Sequence, residues 1–230
     1  MENMKSFYKY AAVIIVIGIS SPSVSQIYDP AKISPEQKKR EECVRLANNN
    51  AQKAINMAID WRARFGSYDA EYCLGIANIN NDNFEYGANK LIEIAPYFKA
   101  RDIQFAAIIF SQAANGYLLA KMPENALLAI NNTLEINKED ANALIDRARI
   151  YAELEKWQEA EIDLTNSMKL RGELALALRL RAETLLQQKK YSEALIDIER
   201  ALTLEPKEVE NYIIRGRIRE AKRLSQKTQN

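Results

Sequence analysis

The chain has 230 residues, of which 47% are hydrophobic and 27% are charged, and this composition is that of a folded protein with a buried core. Its 32 Lys and Arg residues balance 31 Asp and Glu residues, which argues against a general nucleic-acid or anionic-membrane binder. The absence of histidine excludes catalytic triads, general bases and metal sites that need an imidazole. Two cysteines cannot form a four-ligand zinc site alone, so no metal or other cofactor is expected.

Residues 1–25 have the pattern of a secretory signal peptide. Lys5 and Lys9 precede an apolar run over residues 11–19, and Ser23-Val24-Ser25 places small residues at the two positions that a signal peptidase inspects. We therefore predict cleavage before Gln26. An uncleaved anchor is the alternative, but the apolar run is about half of the ~20 residues needed to cross a bilayer.

Export follows from this prediction. Cleavage would remove two Lys and one Glu, which leaves 30 basic and 30 acidic side chains in a neutral mature protein. No later stretch of the sequence is long and apolar enough to span a membrane. We expect a periplasmic or secreted protein with no stable membrane span after signal cleavage, in an oxidising compartment.

The first helix is predicted to follow a linker over residues 26–34. Ser34-Pro35-Glu36-Gln37 places Ser at the N-cap, Pro in the first turn and Gln three residues after the Ser.

A period of 34 residues then organises the rest of the chain. Ala126, Ala160 and Ala194 stand 34 residues apart, and each lies three residues after a Pro or an aromatic residue. A Leu or Met follows each alanine after eight residues. A fixed period of this length indicates a repeat array of helices. The period predicts units at residues 35–68, 69–102, 107–140, 141–174 and 175–208, with four extra residues at 103–106.

These units resemble tetratricopeptide repeats, which are helix–turn–helix pairs. The resemblance rests on Ala148-Arg149-Ile150-Tyr151, Lys156-Trp157-Gln158-Glu159-Ala160, Tyr191-Ser192-Glu193-Ala194 and Ala201-Leu202-Thr203-Leu204-Glu205-Pro206. It implies an all-α, right-handed alpha-alpha solenoid. Residues 107–208 match as three regular units, and residues 35–106 match as degenerate N-terminal units. Residues 209–224 are expected to form a capping helix, and residues 225–230 a disordered tail.

The concave surface of such a solenoid is the family's usual ligand groove, and side chains from the first helix of each unit line it. The resemblance assigns to a peptide-binding groove Ser111, Asn115, Asn142, Ile145, Arg149, Arg179, Glu183 and Arg217. The Asn amides would bond a peptide backbone, and the Arg side chains would bind its carboxylates. The alternative is a solvated helix face on which the arginines pair with local acids such as Asp146 and Glu183.

The resemblance also places Cys43 and Cys73 on adjacent first helices, where a disulfide is geometrically reasonable. The bond would close a loop of about 30 residues and contribute roughly 2–4 kcal/mol. Given the export signal, we expect the disulfide. Two buried free thiols are the alternative.

The functional expectation is a non-enzymatic scaffold that binds a protein or an extended peptide in its concave groove. The alternative is a structural or assembly subunit of a cell-envelope complex that acts through its convex face or its capping helix. No nucleophile–base pair, phosphate loop or metal cluster is visible in the sequence, so an enzyme is not expected. Arg147, Arg181 and Arg215 also recur every 34 residues, and we interpret them as features of the repeat rather than as a nucleic-acid site.

Overall fold

A computed structural model describes residues 34–227 of the chain, and this part consists of eleven α-helices joined by short turns, without strands. The predicted signal peptide and residues 26–33 lie outside the described residues, as do residues 228–230. Over the described range, every helix is too short or too polar to cross a membrane. The helices are α1 (Pro35–Asn49), α2 (Ala51–Phe65), α3 (Tyr68–Asn80), α4 (Phe84–Lys99), α5 (Ile103–Leu119), α6 (Pro123–Ile136), α7 (Ala141–Glu153), α8 (Trp157–Arg171), α9 (Ala175–Gln187), α10 (Tyr191–Leu204) and α11 (Val209–Lys227).

Side-chain caps define where several helices begin. Ser34 and Gln37 form a capping box at α1: the Gln37 N–H donates to Ser34 Oγ at 3.1 Å, and the Ser34 N–H donates to Gln37 Oε1 at 3.0 Å. The helix start that the sequence predicts at Ser34 is confirmed. At α7, Asp140 Oδ1 accepts hydrogen bonds from the N–H groups of Asn142 and Ala143.

The helices pack as five antiparallel pairs, α1 with α2 through α9 with α10, followed by α11. Each first helix of a pair also contacts the first helix of the next pair, so the first helices line the shorter, inner side of an all-α solenoid. Ala126, Ala160 and Ala194 are completely buried. They lie in the first turn of the second helix, where the close helix crossing leaves no room for a larger side chain.

Four of the turns within pairs use a left-handed residue that is not glycine. In the α7–α8 turn, Glu155 has φ 57°, and the next N–H, that of Lys156, donates to the Tyr151 carbonyl at 2.8 Å. This hydrogen bond is that of a Schellman motif, and it satisfies a carbonyl that the helix end leaves free. The same conformation and hydrogen bond recur at Asp82, Lys121 and Lys189.

Two predicted boundaries differ from the structure. The four extra residues at 103–106 add about one turn to the start of α5 and do not form a separate connection, so the boundary placed at 106/107 falls inside this helix. Asp102 caps the extended helix by accepting from the Phe105 N–H at 3.0 Å. At the other end, residues 225–227 were expected in a disordered tail but continue α11, because no helix breaker follows Leu224 and the Ser225 hydroxyl donates to the Lys222 carbonyl.

A repeated arginine clamp ties three helices together. On α7, Arg147 donates from Nε and Nη2 to the two carboxylate oxygens of Asp163 on α8, at 2.7 and 2.9 Å. Its Nη1 donates to Asn131 on α6, in the preceding pair, at 3.1 Å. Asp163 is buried, and the bidentate contact supplies the charge compensation that its burial requires.

The same clamp occurs one repeat later. Arg181 on α9 donates from Nε and Nη2 to Asp197 on α10 at 2.7 and 2.8 Å, and from Nη1 to Thr165 on α8 at 3.0 Å. The expectation that these arginines are features of the repeat therefore has a structural reason: Arg147 and Arg181 each join the two helices of their own pair to the second helix of the preceding pair.

Candidate binding groove

The residues expected to line the groove lie on the first helices α5, α7, α9 and α11. Asn142 is exposed, and five of the side chains are half-buried. These five are Ser111, Asn115, Arg149, Arg179 and Arg217. Asn142 accepts a hydrogen bond at 2.8 Å from Arg171, at the end of α8.

Ile145 does not face a ligand. Its exposed fraction is 5%, and it packs in a core cluster with Ala148, Ala160 and Leu164. The apolar spacing of α7 explains this position, because Ile145 follows the buried Leu144 on the side of the helix that faces the solenoid core. Its assignment to the groove is corrected accordingly.

The carboxylate of Asp146 connects α5 to α7, although the sequence suggested Asp146 only as a local ion-pair partner. Asp146 accepts from Asn115 Nδ2 at 3.2 Å and from Arg149 Nη1 at 3.3 Å. Asn115 also donates to the Ser111 carbonyl within its own helix. Burial raises the pKa of Asp146, and Arg149 and Asn115 oppose that rise. Both side chains expected to bind a peptide here are therefore already bonded to an acid of the protein itself.

A second contact between an acid and arginine side chains lies between α9 and α11. Arg217 Nη1 lies 3.3 Å from Glu183 Oε1, and Arg179 lies 3.9 Å from the carboxylate of Glu208. Burial raises the pKa of Glu183 to about 7, and the nearby Glu210 carboxylate acts in the same direction. Arg217 and Arg179 oppose this rise. Glu183 is buried, with an exposed fraction of 7%, so its carboxyl changes its charge near neutral pH beneath the surface of the groove.

The N-terminal part of the inner side carries a cluster that the sequence did not indicate. Tyr72 on α3 donates to Gln112 Oε1 on α5 at 2.9 Å, and burial raises the pKa of Tyr72 to about 12. The Arg40 guanidinium lies 3.9 Å from the centre of the Phe105 ring and forms an ion pair with Asp69 at 2.6 Å. The cluster was not predicted because residues 35–106 match the repeat pattern only weakly.

Cys43 and Cys73 are joined as a disulfide between α1 and α3, with Cα atoms 6.0 Å apart and a sequence separation of 30. Both side chains are fully buried, so the bond lies inside the helix interface and not on the surface of the groove. Across residues 34–227, acidic and cysteine side chains form no group of three suited to a metal ion.

Comparisons with known proteins place the fold. A tetratricopeptide repeat profile matches residues 175–208, which correspond to α9, α10 and the following turn. No curated protein sequence matches the chain.

Several solved structures share the architecture. A thermophilic TPR protein of Thermus thermophilus is 19% identical and aligns over 81% of this chain and 98% of its own, with a TM-score of 0.57. MamA from Desulfovibrio magneticus RS-1 is 15% identical over 76% of this chain and 97% of its own, with a TM-score of 0.62. YrrB, described as a TPR protein with an unusual peptide-binding site, is 15% identical over 78% and 97%, with a TM-score of 0.59. The chain therefore contains a tetratricopeptide repeat at residues 175–208 and has the fold of a tetratricopeptide-repeat solenoid.

Proposed function

We propose that the protein is an exported, non-enzymatic scaffold that binds a protein or an extended peptide segment in the groove formed by α5, α7, α9 and α11. The observation that carries the proposal is the row of polar side chains on four successive first helices, which includes Asn115, Arg149, Arg179 and Arg217. A solenoid suits this function because each helix pair adds a strip of surface without changing the fold. The peptide-binding site named for YrrB, which has the same fold, agrees with this use.

The spacing of the helices sets the length of the ligand. Neighbouring packed helices lie about 8–10 Å apart, so four first helices span roughly 27 Å. An extended chain advances about 3.3–3.6 Å per residue, so a bound peptide would cover about eight residues. A segment of this length would reach from Asn115 on α5 to Arg217 on α11.

The internal ion pairs specify the chemistry of binding. A ligand carboxylate that approaches Arg149 or Arg217 competes with Asp146 or Glu183 for the N–H donors of that arginine. An acid that loses its arginine in this competition needs another donor, which a ligand N–H or ammonium group supplies. The groove therefore favours a polar segment with donors and acceptors in alternation over a purely acidic tail.

Export is the second part of the proposal, and it is supported by the sequence of residues 1–25. N-terminal analysis of the protein recovered from the exported fraction tests it directly. A mature chain that starts at Gln26 is expected. Protein that keeps Met1 and remains inside the cell would refute export but leave the groove proposal standing.

The groove is tested by capture of partners from the exported fraction with three forms of the chain. Arg149→Glu with Arg179→Glu reverses two charges in the groove, and Lys169→Glu with Arg200→Glu makes the same charge change at exposed positions on α8 and α10. Partners retained by the wild type and the control pair, but lost from the groove pair, are expected. Partners retained equally by all three forms would exclude this groove as the binding surface.

A further inference from the structure

The two clamps show a matching rule between the helices of a pair. Arg147 faces Asp163, and Arg181 faces Asp197, in each case 16 residues later on the second helix. In the preceding pair, the position that corresponds to Arg147 holds Ala113, and the position that corresponds to Asp163 holds Ala129. Both alanines are buried. In the three pairs from α5–α6 to α9–α10, an arginine on the first helix therefore occurs with an aspartate on the second, and an alanine occurs with an alanine.

Arg215 on α11 is the third arginine of this series, and half of its clamp is in place. Its Nη1 lies 3.3 Å from Glu199 on α10, which occupies the position of Asn131 and Thr165 in the two complete clamps. The Nε and Nη2 groups, which bind the aspartate in the complete clamps, have no hydrogen-bond partner among residues 34–227.

A stripe on α11 is exposed where the corresponding stripe of α7 is covered. Tyr212 is 45% exposed, whereas Leu144 and Leu178 at the same repeat position are buried. Ile213 is 50% exposed, whereas its counterpart Ile145 is 5% exposed. Val209 and Gly216 complete the stripe, which runs along one face of the helix at intervals of three and four residues.

Gly216 marks the place for a close helix crossing. Its counterparts Ala148 and Ala182 are buried, whereas a Cβ placed on Gly216 would meet no atom within 4 Å. The position thus keeps a small residue, as a crossing helix requires, on a surface that no described helix covers.

We propose that the stripe of Val209, Tyr212, Ile213 and Gly216, together with Arg215, binds an amphipathic helix of a partner protein that completes the clamp with an acidic residue. The second helices α8 and α10 give the required pattern: a small residue, an Asp three positions later and an aliphatic residue directly after it. Ala160, Asp163 and Leu164 show it on α8. The site borders the groove at Ile213, whose counterpart on α9 is the groove residue Arg179, and differs from the groove in Val209, Tyr212, Arg215 and Gly216.

Charge favours an acidic partner helix over a second copy of α11. Residues 209–227 contain six basic and two acidic side chains, so two copies of α11 placed side by side would repel. Glu199 occupies the Nη1 donor of Arg215, and the Nε and Nη2 donors remain for a second carboxylate, which an acidic helix supplies in the bidentate geometry of the two complete clamps.

A peptide with the sequence of α10 is a suitable probe, because α10 makes the same contacts with α9. The labelled peptide is titrated with the full-length chain, and binding is followed by fluorescence anisotropy. Arg215→Asp in the protein, or Asp197→Arg in the peptide, is expected to weaken binding by about tenfold or more. Combining the two changes is expected to restore it, because the charges then match again.

Arg223→Asp is the matched control, since it makes the same charge change on an exposed part of α11, and it is expected to retain binding. Tyr212→Glu tests the apolar part of the stripe and is expected to abolish binding. Peptide binding that persists in Arg215→Asp would overturn the proposal, because the peptide would then bind α9 in place of α10 and would not bind α11. Absence of binding to the wild type would overturn it, and so would a dimer of the chain that Tyr212→Glu dissociates.

Discussion

The arginine clamp between α9 and α10 gives the sharpest test of what stabilises this solenoid. Arg181→Ala removes both hydrogen bonds to Asp197, at 2.7 and 2.8 Å, and the bond to Thr165 in the preceding pair. The Asp197 side chain is 5% exposed, so the variant leaves a carboxylate in the helix interface without its cation.

The expected loss of stability follows from that burial. Removing one partner of a fully buried ion pair costs about 3–5 kcal/mol, mostly because the remaining charge stays desolvated. The Arg181 side chain is 23% exposed, so water reaches part of the vacated space and lowers the cost. We therefore expect Arg181→Ala to lower the free energy of unfolding by about 2–3 kcal/mol.

Urea unfolding followed by circular dichroism measures this loss. Arg200→Ala is the control, because Arg200 pairs with Glu173 at an exposed position and its loss is expected to cost about 0–1 kcal/mol. Adding Asp197→Ala to Arg181→Ala should recover part of the stability, since the uncompensated carboxylate is then gone. A loss no larger than that of the control, or additive losses in the double variant, would refute the assigned role of the clamp.

Three further predictions concern other parts of the fold. Gly87→Ala should lower stability by about 1–3 kcal/mol in thermal unfolding, because a Cβ there would lie 2.5 Å from the Gly75 carbonyl oxygen; an unchanged melting temperature would contradict this close crossing. Non-reducing mass spectrometry of the exported protein should show Cys43 and Cys73 oxidised, and reduction should cost roughly 2–4 kcal/mol; two free thiols would disprove the disulfide. Because the pKa of Glu183 is raised to about 7, the folded state favours the protonated carboxyl. The contribution of this carboxyl to stability is complete below the ordinary pKa of a glutamate and is lost as pH rises through 7. Glu183→Gln should therefore stabilise the protein above pH ~8 by about 2–3 kcal/mol and have little effect near pH ~4; a gain independent of pH would rule this out.

The repeat period predicted the architecture because it reports helix packing. Ala126, Ala160 and Ala194 recur since the close crossing in each pair admits only a small side chain, and this constraint is visible in the sequence. The turns were less visible. Lys121 and Glu155 adopt the left-handed conformation that usually favours Gly or Asn, because the hydrogen bonds of the helix end offset its cost.

The groove was only partly predictable, because side-chain partners depend on the distance between helices and not on spacing along one helix. Arg149 and Arg217 lie on the expected helices, and the sequence could not decide between a free arginine and one held by Asp146 or Glu183. Ile145 shows the same limit, because neighbouring positions around α7 face either the groove or the core.

The paired charges on the inner side have a kinetic consequence. Above pH ~7, where the Glu183 carboxyl is ionised, Arg217 and Glu183 cancel most of each other's field at a distance, as do Arg149 and Asp146. A partner that enters this groove is therefore not guided by long-range attraction, and its association rate should fall in the ordinary range of ~10⁵–10⁷ M⁻¹s⁻¹ with little dependence on salt. Selectivity would then lie in how long the complex lasts, because only a matching partner can take over both halves of an internal ion pair.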